Sequence, residues 1–160
     1  MRCFARLSLF FGLHALFVAC PRTLPPECKD FFDSDSPQKE LFLSYPLDKQ
    51  IRIYKCGMNQ HPQARYLASY IARKGETVIP PLLENLENEK SELDQQMVIT
   101  IFENISMRGY LKNKPEVLGR ISAVINRMKI PIVKEMAQES EKRILEYNQG
   151  NYPRANDPDR

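Results

Sequence analysis

The sequence predicts an all-α fold, and three observations carry that prediction. Apolar residues between Asp48 and Tyr147 recur at intervals of three and four, the spacing that puts them on one face of a helix. No stretch alternates apolar and polar residues with the period of two that a half-buried strand requires. Glycines and prolines fall mostly at the ends of the apolar stripes, where helices stop and start. At 160 residues the chain has the length of one domain with a leader or tail, and its 42% hydrophobic and 27% charged residues suit a single folded core.

The segment from Gly75 to Gly109 organises the rest and reads as a helical hairpin. Before it, a first helix is expected over about Leu47 to Cys56, with Ile51, Ile53 and Tyr54 inside and Gly57 as a left-handed stop. Pro62 suits a first helical position, so a second helix is expected from there to Gly75, with Ala64, Leu67, Ala68 and Ile71 buried and Tyr66 and Tyr70 flanking them. The third begins near Thr77. It tolerates Pro80 and Pro81 only in its first turn, where backbone donors lack helical partners, and buries Leu82, Leu83 and Leu86. Ser91 caps the fourth, with Asp94 three residues on. Its stripe of Leu93, Met97, Val98, Ile101, Phe102 and Ile105 runs to Gly109. Asn113 and Pro115 open the fifth, with Val117, Leu118, Ile121, Val124, Ile125 and Met128 on one face. Pro131 opens the sixth, with Val133, Met136, Ala137 and Ile144 inside and a Glu139 to Arg143 pair outside.

Six helices make three hairpins, starting near residues 48, 77 and 115. The implied repeat of roughly 30 to 40 residues is the length of helical solenoid units. Gly75-Glu76-Thr77-Val78-Ile79-Pro80, with Leu83 and Leu86, resembles the opening of a HEAT-like α-helical repeat. Pro131-Ile132-Val133-Lys134-Glu135-Met136-Ala137 resembles the opening of such a repeat's second helix, and the likeness covers about residues 75–145. It implies three hairpins stacked as a short α-solenoid. An irregular six-helix bundle is the other way to assemble the same hairpins.

Residues 1–19 have the shape of a signal peptide, with Arg2 and Arg6 followed by the apolar run Leu7 to Ala19. That run is too short for a membrane span, which needs about 20 apolar residues. Cleavage after Ala19 would put the bulky Phe17 at the −3 position, where ordinary secretory cleavage wants a small residue. Val18-Ala19-Cys20 resembles instead the lipobox of bacterial lipoproteins, which implies that Cys20 is lipidated and holds the protein on a bilayer. Residues 20–45 then read as a proline- and aspartate-rich tether, part of which is expected to lie along the helical domain, because Phe31, Phe32, Leu41, Phe42, Leu43 and Tyr45 are too many large apolar groups to leave in water. The helical-repeat domain spans 46–147, and 148–160 reads as a flexible tail. Cys28 and Cys56 remain as a disulfide pair or as a free thiol and a buried one.

Charge and motifs exclude several functions. Arg2 and Arg6 lie in the leader and every acid lies beyond it, leaving 21 basic residues against 20 acidic ones. That balance offers no footprint for nucleic acid. His14 falls in the leader, so His61 is the one histidine of the mature chain, and beside Pro62 it reads as a loop residue. No metal-ligand cluster, nucleophile motif or phosphate-binding loop is present, so neither a catalytic residue nor a cofactor is predicted. Acid pairs such as Glu84 with Glu87 and Glu135 with Glu139 read as solvated surface.

Binding remains. In stacked hairpins the second helices share a face, which here would carry Tyr66, Tyr70 and Arg73 with Gln96, Thr100 and Glu103. The alternative places the tyrosines at the edge of the core. The expected protein is therefore a membrane-anchored, non-enzymatic adaptor of the bacterial cell envelope that binds a protein partner. An envelope enzyme or enzyme inhibitor with an unrecognised site and a secreted soluble binding domain are the alternatives.

Overall fold

The computed structural model of the protein describes residues 24–34, 38–60 and 62–150. The leader, Cys20, His61 and residues 151–160 lie outside them. Among the described residues the fold is all helical, with α1 (Pro26–Phe32), α2 (Gln38–Ser44), α3 (Leu47–Met58), α4 (Tyr66–Ala72), α5 (Ile79–Asn88), α6 (Glu92–Met107), α7 (Pro115–Arg127) and α8 (Pro131–Asn148). A short 3₁₀ turn over Gly75–Val78 leads into α5. No described helix is long and apolar enough to cross a membrane.

The last four helices begin and end where local chemistry dictates. Ser91 Oγ accepts the Asp94 amide of α6 at 3.3 Å, and prolines occupy the first turns of α5, α7 and α8. Gly75 and Gly109 take the positive φ values, 73° and 82°, that interrupt helices at little cost. The earlier helices depart from expectation. Gly57 is not a stop, because it lies inside α3. A Cβ there would come within 2.6 Å of Ala64 Cβ and 2.9 Å of the Phe32 ring, so close packing is what requires glycine. The second helix starts at Tyr66 rather than Pro62, because the chain first doubles back until the Ala64 amide donates to the Gly57 carbonyl at 3.1 Å.

The stretch expected as an irregular tether contains two helices. Pro26 starts α1 instead of preventing it, since the donor it lacks is unneeded in a first turn. Phe31 and Phe42 are fully buried, while Phe32, Leu41 and Tyr45 pack against the core. Cys28 and Cys56 are bridged, tying α1 to α3 across a Cα separation of 6.2 Å. Gln50 of α3 donates to the Phe42 and Tyr45 carbonyls, both at 2.9 Å, and so holds the end of α2.

The hairpins stack in two layers. α4 packs on α6 and α6 on α8, while α5 packs on α7. α6 also meets α3 and α5, which makes it the central helix. Several bonds between successive hairpins join residues about 38 positions apart. Lys114 to Glu76, Ile130 to Glu92 and Ser106 to Ile144 each span 38 residues, and Arg108 to Ser69 spans 39. Equivalent positions of neighbouring hairpins therefore face each other, the expected consequence of stacking one supersecondary unit on the next. Glu92 meets Lys129 and Ile130 at the N-terminal ends, and Ser106 meets Ile144 and Asn148 at the C-terminal ends, so α6 and α8 run parallel.

Candidate functional site

A groove of about 880 Å³ runs between α6, α8 and the chain that leads into α4. Gln96, Thr100, Glu103 and Asn104 of α6 form one wall, Ile132, Met136, Glu139 and Arg143 of α8 the other, and Met58, Gln63 and Arg65 close the side. Helical spacing makes both walls. On α8, Val133, Ala137, Ser140, Ile144 and Tyr147 are buried against α6 and α7, and the neighbouring stripe turns Ile132 and Met136 outward. Met136, expected inside, is 44% exposed. Gln96 faces the groove but is only 7% exposed, because its amide folds along the helix to donate to Thr100 Oγ1 at 3.2 Å.

Met58, Ile132 and Met136 supply the apolar surface of the groove. Arg143 spans the two helices with a bidentate pair to Glu103, Nε to Oε1 at 2.6 Å and Nη2 to Oε2 at 3.0 Å, and adds Glu139 at 3.2 Å. Those charge-assisted bonds hold the Arg143 guanidinium above its ordinary pKa. The α6 wall is a ladder in which Thr100 donates to the Gln96 carbonyl at 3.2 Å and Asn104 to the Thr100 carbonyl at 2.9 Å. Behind it lies Tyr54, fully buried, with its hydroxyl beside Thr100. Burial raises its pKa, and the groups acting on it are Thr100, Arg65 and Glu103, all of the groove wall.

The structure divides the expected binding face. Gln96, Thr100 and Glu103 line the groove, whereas Tyr66, Tyr70 and Arg73 do not. The tyrosines turn toward α2. Tyr66 and Tyr70 pack edge to face with ring centroids 5.7 Å apart, Tyr70 also meets Phe42 at 6.2 Å, and the Tyr66 hydroxyl donates to Gln38 at 2.7 Å. Arg73 lies 5.4 Å from the Tyr70 ring. Helix α2 thus packs along the tyrosines, although Tyr66 stays 44% exposed. Sequence reasoning missed the α8 wall and Tyr54. The signal was legible in part: Ile132, Glu139 and Arg143 recur at helical spacing with Met136, which was taken as core.

Among the described residues no group of three or more His, Cys, Asp or Glu side chains is placed to hold a metal ion. Comparison of the chain with protein-family models, curated proteins and solved structures finds no match.

Proposed function

We propose that the protein is a membrane-anchored, non-enzymatic adaptor of the bacterial cell envelope that seats a segment of a partner protein in the groove between α6 and α8. The observation that carries the reading is the composition of that groove. Ile132 and Met136 offer apolar area to bury, and the Glu103–Arg143 pair with the Gln96 amide and Thr100 hydroxyl gives orientation. Both walls are rigid helices joined by an ion pair, so binding there orders little of the protein itself. Anchoring rests on Val18-Ala19-Cys20, and the bridge between Cys28 and Cys56 suits an oxidising compartment.

Two measurements test this reading. The intact mass of the mature protein is expected to show a diacylated or triacylated N-terminal Cys20, lost in Cys20→Ser, and an unmodified terminus elsewhere overturns the anchor. A photo-crosslinking side chain at Met136 is expected to capture a discrete partner in cells, and one at Ala123, exposed on α7, to capture none. Equal capture at both positions overturns the groove as the binding site.

A further inference from the structure

Taking the groove as the partner site, we infer that its occupant is an extended peptide segment, about five residues long, whose backbone pairs with the carboxamides of Gln96, Asn104 and Gln138 and whose apolar side chains at alternate positions meet Ile132 and Met136. Four carboxamides line the groove, and one of them, Gln63, is taken up by Arg65 at 2.9 Å. The other three repeat at the step of an extended chain. Gln96 and Asn104 stand about 12 Å apart along α6, and backbone groups four residues apart on one edge of an extended segment are about 13 Å apart. Bonds between α6 and α8 join residues 38 positions apart, which sets Gln138 level with Thr100, halfway between the other two and on the opposite wall. An extended chain turns its N–H and C=O groups to both edges in alternation, so amides on both walls suit it. Ile132 and Met136 lie one turn apart, about 6 Å, close to the spacing of side chains on one face of a strand.

The amides of α6 are held in place with bonding groups to spare. Gln96 Nε2 donates to Thr100 Oγ1 at 3.2 Å, and Asn104 Nδ2 to the Thr100 carbonyl at 2.9 Å. Each nitrogen keeps a second N–H, and neither side-chain oxygen accepts from a described residue. Gln138 is exposed, and its side chain bonds to no described residue. A carboxamide with its oxygen and one N–H open matches the N–H and C=O of one extended residue.

The same chemistry disfavours the other occupants. A helix satisfies its backbone internally and would bury these amides without main-chain partners, which is costly. None of the lining residues is aromatic, so the groove gives a nucleic-acid base no ring to stack on. Its charges balance, three acids against three bases, so hydrogen bonding and apolar contact select the occupant. Main-chain pairing with pockets for alternate side chains is how sheet edges take up peptides, and here two helix faces supply it.

The test selects two phage-displayed libraries on the full-length protein, one of random linear peptides and one of random residues on the outer face of a stable helix. Binders lost in Met136→Arg, a change at a half-exposed position, are assigned to the groove. The linear library is expected to supply them. In a synthetic copy of such a peptide, N-methylation of single backbone amides should weaken binding about tenfold at two positions four residues apart. Methylation at one of them should add nothing in Gln96→Met, and at the other nothing in Asn104→Leu, because each pair loses the same bond once. Losses that add in full, or no methyl-sensitive amide, overturn the inference. Groove binders from the helical library alone overturn it and leave the groove as a partner site. No groove binder from either library overturns both.

Discussion

Two glycines show how differently the same residue is used. Gly57 sits in α3 where α1 and the doubled-back chain before α4 converge, and an added Cβ would collide with Ala64 Cβ at 2.6 Å. Neither atom is the end of a flexible side chain, so backbone has to move. Gly57→Ala is expected to destabilise the protein by about 1 to 3 kcal/mol, the usual cost of overpacking, as measured by urea unfolding. Gly119 is exposed in the middle of α7, and nothing lies within 4 Å of its missing Cβ. Gly119→Ala should therefore stabilise by about 0.5 to 1 kcal/mol through helix propensity alone. Equal effects at the two sites would mean that the Phe32–Gly57–Ala64 contact is absent in solution. From the sequence both positions are glycines in helical surroundings. The difference lies in Ala64 and Phe32, which reach Gly57 only through the fold.

At the scale of the elements, helix ends are fastened to one another by carboxylates. Arg120 holds Glu87 below the ordinary 4.5 through hydrogen bonds of 2.6 and 2.7 Å. Burial opposes ionisation of Glu89, but Lys55 and the amides of Ser91 and Lys90 outweigh it and lower its pKa. The amides of Ile130 and Lys129 lower that of Glu92. A carboxylate whose pKa is depressed on folding contributes stability above its unfolded value, and that contribution is lost as pH falls through the folded value. Asp94 has the opposite sign, since burial raises its pKa above 3.8, but it stands against three. Unfolding free energy is thus expected to be level near neutrality and to fall as pH drops below about 4.5, with a shallower fall in Glu92→Gln. An unchanged slope in that variant would show that Glu92 does not hold the α7–α8 turn. The same scale exposes why α1 and α2 were not expected as helices, although part of that segment was expected to dock on the domain through its large apolar residues and does so. Proline reads as a breaker until it is known to be the first residue of a helix, and seven-residue helices leave too little periodicity to announce themselves.

For the whole molecule, the bridge between Cys28 and Cys56 and the aromatic cluster of Phe31, Phe32, Phe42 and Tyr45 make α1 and α2 a cover over the first hairpin. Stability in stacked hairpins is carried by neighbours, so damage at one end should stay local. Replacing both cysteines by serine should cost about 3 to 4 kcal/mol from the loop that the bridge closes. Hydrogen exchange is the discriminating measurement. Amides of α1 to α3 should lose protection in that variant while those of α6 and α8 keep theirs. Uniform loss along the chain would show one cooperative bundle instead.

Helix identities and many boundaries were legible without the fold because their causes are local. The Ser91 cap, Pro115 and Pro131 at first turns, Gly75 and Gly109 at stops, and the stripes that bury Ile101 and Ile121 all act within a turn or two of chain. What a stripe meets is a separate question. The same periodicity that places Val133 and Ala137 in the core leaves Met136 at its margin, and only the position of α6 decides that Met136 faces a groove. Tyr70 satisfies an exposed-face reading until Phe42 of α2 meets its ring, while Tyr66 stays 44% exposed and gives its hydroxyl to Gln38. The groove itself is made by residues about 40 positions apart, such as Glu103 and Arg143. Their meeting depends on how hairpins stack, which is set by the summed shape of many side chains and not by any motif along the chain.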